Sequence, residues 1–220
     1  MSNLNQLILS FNHEQNFKNF DFYVSKSNAH VYDLINNWST INEKFLNIIG
    51  EKFCGKSHLV NIFLEKNKGL KINSDELNNH FFKKIKFYKN IILEDLTLRI
   101  NEKLFYSLIN IVEAENKHLI VTSDVSIVNL NFKLSDLKSR SKNFTLTSIE
   151  NPDDDLIFAL VLKNLSDRQI SINKKLIDYI IKRIDRSYSN ISDFVYKIDQ
   201  LSLKKKRSID FGIIKEALGD

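Results

Sequence analysis

The stretch that decides the fold is Phe45-Leu46-Asn47-Ile48-Ile49-Gly50-Glu51-Lys52-Phe53-Cys54-Gly55-Lys56-Ser57. An apolar strand over 44–49 meets Gly50, and Gly50 to Ser57 then fits the spacing G-x-x-x-x-G-K-[ST]. A helical stretch over 56–66 follows. Strand, glycine turn and helix together aim consecutive backbone N–H groups and the positive end of a helix at one point, which is what a phosphate requires. Gly50, Glu51, Lys52, Phe53, Cys54 and Gly55 form the cradle, Lys56 reaches the outer phosphates, and Ser57 can ligate Mg²⁺. The plain alternative is a glycine turn before a surface helix, but glycine is scarce here, 5 in 220 residues, which weighs against it. Cys54 reads as a small residue filling a tight loop, because the chain has no second Cys to resolve a disulfide.

Outward from this loop, apolar periodicity alternates strands with helices. Ser27 is a candidate N-cap for a helix carrying Ala29, Val31, Leu34, Ile35 and Trp38. A strand is expected over 70–72. Asn73 with Glu76 then makes a capping-box start for a helix ending near Lys84. Residues 90–93 are a continuous run closed by Glu94 and Asp95, the pattern of a buried parallel strand. A carboxylate there holds Mg²⁺, a part expected of Glu94, while Asp95 can orient or deprotonate an attacking water. A helical stripe over 101–116 precedes another buried strand at 118–122, closed by Thr122, Ser123 and Asp124, which on the residues alone can be a strand cap.

Past residue 165 only helices are expected. The single proline, Pro152, is placed at the first position of a helix over 153–165, followed by helices over about 173–185, 189–203 and 211–218. The fold class is therefore α/β: a phosphate-loop core with a parallel sheet flanked by helices, then a small all-α lid. Ligands in such a core sit at the carboxyl ends of the strands.

Composition agrees with a globular chain. Hydrophobic residues are 43% and charged residues 27%, with one Pro, one Cys and one Met, which excludes disordered, disulfide-framework and Cys-based zinc classes. No apolar window is long enough to span a membrane, so a cytoplasmic protein is expected. The net charge of +5 carries little weight, because Lys and Asn richness follows from an AT-rich genome, and strong direct DNA binding is not expected.

In order and spacing, Gly50 to Leu59 (GEKFCGKSHL), Ile91 to Leu96 (IILEDL), Leu119 to Asp124 (LIVTSD) and Leu137 to Arg140 (LKSR) resemble the AAA+ module of the DnaA replication initiators. The resemblance covers about residues 17–218, and the expected helix-turn-helix of an initiator does not follow before Asp220. The chain is more similar to the Hda family of DnaA-like regulators, through Tyr196 to Leu201, Lys204 to Arg207 and Phe211 to Leu218. That likeness implies a clamp-binding segment at 1–16, with Gln6, Leu7, Leu9 and Phe11 entering the sliding clamp (the beta subunit of DNA polymerase III), a nucleotide-binding core at 17–165 and a lid at 166–220. It implies ADP or ATP with Mg²⁺ as cofactors, Thr122, Ser123 and Asp124 as polar groups toward a phosphate, DnaA as partner, and Arg140 as an arginine finger inserted into DnaA's nucleotide site. Phe22, Val24 and Asn28 resemble the adenine-facing segment, and self-association is compatible with finger geometry.

Two departures bear on activity. Glu94 stands where the family has Asp, and the lid arginine falls at Ser192, with Arg186 about two turns earlier. Both favour holding nucleotide, ADP more than ATP, over turning it over. The competing expectation is an autonomous hydrolase or an initiator-like protein that contacts DNA directly.

Overall fold

A computed structural model describes residues 22–219. The expected clamp-binding residues Gln6, Leu7, Leu9 and Phe11 lie outside the described residues.

Five parallel strands form one sheet: β1 (Phe45–Ile49), β2 (Gly69–Asn73), β3 (Asn90–Glu94), β4 (His118–Ser123) and β5 (Thr145–Ser148), in the order β2-β3-β4-β1-β5. The period of two along each strand sorts side chains to opposite faces. Phe45, Ile91, Leu93, Leu119 and Val121 pack on one face against α3 (Asn79–Ile85), α4 (Glu102–Ala114) and α5 (Ser135–Ser141). Leu46, Ile48, Ile92 and Ile120 pack on the other against α1 (Ala29–Asn37) and α2 (Lys56–Lys66). Helices cover both faces, which is why the strands read as nearly unbroken apolar runs.

A third apolar cluster belongs to the lid. Ile157, Val161 and Leu165 of α6 (Asp154–Asp167) pack with Leu176 and Ile177 of α7 (Lys174–Ile181), Ile191 and Val195 of α8 (Tyr188–Lys205), and Ile213 and Ile214 of α9 (Phe211–Leu218). No helix among the described residues is long and apolar enough to cross a membrane.

Several local expectations need correction. Asn28, not Ser27, holds the N-cap position of α1, and it makes no side-chain cap bond there; its amide instead donates to Tyr23. Asn73 caps only a 3-10 turn at Ser74–Glu76. Leu77 then runs extended to bury itself in the sheet core, and α3 starts afresh with Asn78 accepting from His80 and Phe81. Pro152 lies outside α6, whose cap is Asp153, accepting from the Leu156 N–H at 2.9 Å. Between 124 and 145 the structure adds α5, and then the edge strand β5, neither of which periodicity announces. The turn entering α5 is held from a distance, because the Glu102 carboxylate accepts the N–H groups of Lys133 and Leu134 at 2.9 and 2.8 Å.

Candidate functional site

β1 lies between β4 and β5, so the loop that leaves it opens among the carboxyl ends of its neighbours. Gly50 donates its N–H to the Ser123 carbonyl at 3.1 Å, fastening the loop to β4. A Cβ at Gly50 would come within 2.5 Å of the Cys54 sulfur, so only glycine allows that thiol to tuck beneath the loop. Burial pushes the Cys54 thiol up, against the opposing charge of Lys56. Gly55 adopts φ +99°, a left-handed turn that hands the chain to α2.

Lys56 is buried, at 7% exposure, yet fully engaged. Its ammonium donates to the carbonyls of Gly50 and Glu51 at 2.5 and 2.9 Å and to the Asp124 carboxylate at 3.0 Å. The lysine expected to reach phosphates is thus held by two loop carbonyls and one acid.

The loop opens on a cavity of about 890 Å³. Lys52, Phe53, Cys54, Gly55, Lys56, Ser57, Asp95, Asp124 and Ser192 of the expected residues line it. Gly50, Glu51, Val24, Glu94 and Arg140 are not on its wall. Of the adenine-facing residues expected, Phe22 and Asn28 line the cavity, and Tyr23 does so in place of Val24. Phe22 stacks on Tyr32 at 5.8 Å between ring centroids and meets His58 edge-on at 5.2 Å, which fixes that wall.

The strand-end polar groups divide their work. Thr122 accepts the Asp95 N–H at 3.0 Å, and Ser123 accepts the Asn47 amide at 2.8 Å, so both hydroxyls tie the sheet together while Asp124 alone faces Lys56. Asp95 sits at φ +53°, which turns its carboxylate away from the strand direction and onto the cavity wall. Glu94 instead pairs with Lys71 of β2, Nζ to Oε2 at 3.1 Å. Ser57 stands on the cavity wall, while Glu94, off that wall, is paired with an ammonium.

The lid supplies wall residues that sequence reading missed: Leu156, Leu160, Lys163, Asn164 and Asp167 from α6, and Tyr188 and Ile191 from α8. Their helical spacing was visible, but the same spacing also describes a buried lid face. Burial pushes the Tyr188 phenol well above its ordinary range. Arg186 does not reach the cavity and pairs with Asp154. Arg140, on α5, also lies outside the cavity and pairs with Glu113 of α4.

The parallel sheet, the loop between β1 and α2, and the helical lid together have the AAA+ fold. Within that fold the chain is similar to Hda over its lid and to DnaA over most of its length. Residues 153–218 match the family model described as Hda, lid domain. The chromosomal replication initiator protein DnaA of Caldanaerobacter subterraneus subsp. tengcongensis is 23% identical over 197 residues. That alignment takes in 79% of this chain but 44% of the initiator, so the chain spans less than half of that relative's length. Among solved structures, domain III of DnaA from Thermotoga maritima superposes with a TM-score of 0.73 at 16% identity, covering 93% of this chain and 96% of that one. AMPPCP-bound DnaA from Aquifex aeolicus gives 0.66 at 19% identity, over 83% and 65%.

Proposed function

We propose that this chain binds an adenine nucleotide, resident as ADP, and regulates replication initiation by promoting ATP hydrolysis on DnaA. The observation that carries the reading is the junction of a phosphate-type loop with an Hda-type lid around one cavity. Its wall is divided in a way that suits a nucleotide. Lys56, Ser57 and the loop amides meet phosphates, while Phe22, Leu156, Leu160 and Ile191 offer apolar surface for a base. The AMPPCP bound by the Aquifex relative supports the same ligand class.

Phosphate entering the loop would take Lys56 from the two carbonyls and from Asp124, exchanging neutral and exposed partners for a multiply charged one. Turnover by this chain is slow in this reading, since Ser192 occupies the lid position expected of an arginine. Arg140 acts elsewhere. It stands outside its own cavity, and its guanidinium would leave Glu113 for the triphosphate of a neighbouring DnaA, where a finger supplied in trans is worth about 10³ to 10⁵ in rate. Gln6, Leu7, Leu9 and Phe11 dock on the sliding clamp, and the protein works in the cytoplasm.

The test is to identify nucleotide released from purified protein, then to measure phosphate release from ATP-loaded DnaA with clamp, DNA and either the natural chain or Arg140→Ala. The reading requires adenine nucleotide in the first and loss of stimulation in the second. Unaided hydrolysis or salt-sensitive duplex binding by the chain alone would instead support the autonomous alternative.

A further inference from the structure

We propose that Lys71 takes the electrostatic place of a divalent cation beside Glu94, so that nucleotide is held here with little dependence on Mg²⁺; this rests on the nucleotide reading above. The placement follows from strand register. Lys71 and Asn73 lie two apart on β2 and share a face, with Asn73 directly opposite Glu94 of β3. From there the Lys71 ammonium reaches the Glu94 carboxylate at 3.1 Å and the Asn61 side-chain oxygen at 3.0 Å. Asn61 is one helical turn beyond Ser57 on α2, so the ammonium stands at the end of the stripe that carries the hydroxyl expected to ligate metal.

Charge counting decides the rest. Three acids end the central strands: Glu94, Asp95 and Asp124. Lys71 neutralises the first and Lys56 the third, which leaves the Asp95 carboxylate, among the described residues, with the Asn73 amide at 3.4 Å. Mg²⁺ sheds water reluctantly and relies on carboxylates whose charge is available to it. Glu94 retains one oxygen, Oε1, buried and without a hydrogen-bond partner, but a water drawn there lies in the field of the ammonium. A cation of charge +2 behind that water would face a like charge. The side chain of Glu94 is 13% exposed against 37% for Lys71, so the pair is partly screened from water.

The experiment titrates ADP into the full chain by calorimetry, once with excess MgCl₂ and once with EDTA. Dissociation constants within about threefold of each other are expected. In Lys71→Met the freed carboxylate should raise the advantage of the magnesium buffer to about tenfold or more. Glu94→Gln covers the case in which Lys71→Met does not fold, and it should leave the magnesium ratio where the natural chain has it. A natural chain that binds ADP about tenfold tighter with Mg²⁺, or a Glu94→Gln variant weakened only in the magnesium buffer, overturns the proposal while nucleotide binding stands. Absence of ADP binding in both buffers overturns the nucleotide reading itself.

Discussion

The Glu51 carboxylate, in the loop between β1 and α2, accepts a hydrogen bond from the backbone N–H of Tyr188, the first residue of lid helix α8. A carboxylate at that place meets an orphan donor and the positive end of the helix dipole together. The Glu51 carbonyl is also one of the oxygens that hold Lys56, and the Tyr188 hydroxyl donates to the Glu150 carbonyl at 3.0 Å. Glu51 therefore touches both Lys56 and the lid, and a ligand that takes Lys56 would disturb a residue on which α8 rests.

Glu51→Ala is expected to cost about 0.5–2 kcal/mol, the range for losing a side-chain helix cap. Hydrogen exchange should quicken in the first turn of α8 while the strands stay protected. Unchanged exchange at α8 would show that the contact carries no load.

Lys56→Met should lower ADP affinity by about 10- to 100-fold, the loss expected from removing a charge-assisted bond worth about 1.5–3 kcal/mol. Its thermal midpoint should move little, because the Asp124 side chain left behind is 53% exposed. Titration with a fluorescent ADP analogue, beside a melting curve, separates the two effects.

At Gly55 an added methyl meets both a left-handed backbone, φ +99°, and the Phe22 ring at 3.1 Å. Gly55→Ala is expected to destabilise by about 1–2 kcal/mol from the backbone alone, read as a shift in denaturant midpoint. The displaced Phe22 should also weaken ADP binding.

Arg140→Ala and Glu113→Gln separate a finger from a surface ion pair. Either change should alter stability by about 0–1 kcal/mol, since the two side chains are 33% and 43% exposed. Only the loss of Arg140 should abolish stimulated hydrolysis by DnaA. Glu113→Gln, which releases the guanidinium, should retain it.

His118 supplies a pH test away from the site. Burial, aided by the charges of Lys89 and Lys44, holds its imidazole below the ordinary value of 6.5. The unfolded chain then takes up the proton first, so stability is complete above pH 6.5 and falls as the pH drops below it toward the folded value. Chemical denaturation at a series of pH values should show that slope in the natural chain and a flatter one in His118→Gln.

Much of the core was legible because chemistry constrains it. The helix expected over 56–66 is the helix observed, since Gly55 must turn the chain and Lys56 must follow it. The strand closed by Glu94 and Asp95 was equally plain, but which acid faces the cavity was not, because that depends on a positive φ at Asp95. Lys71 was invisible for another reason: its partner lies on a neighbouring strand, and nothing local marks a lysine that will meet Glu94. α5 depends on Glu102 from a distant helix, and β5 is a four-residue edge strand with no apolar run to betray it. The lid wall was hidden by ambiguity, because Leu156, Leu160 and Ile191 carry the same periodicity whether they face a ligand or a neighbouring helix.

The chain's single thiol, Cys54, is 4% exposed, sealed between Gly50 and the start of α2. At 4% exposure on the cavity wall that sulfur is shielded from an alkylating reagent, so its rate of modification is expected to rise whenever the loop lifts. Any occupant that clamps the loop shut would slow this reaction, with no residue changed.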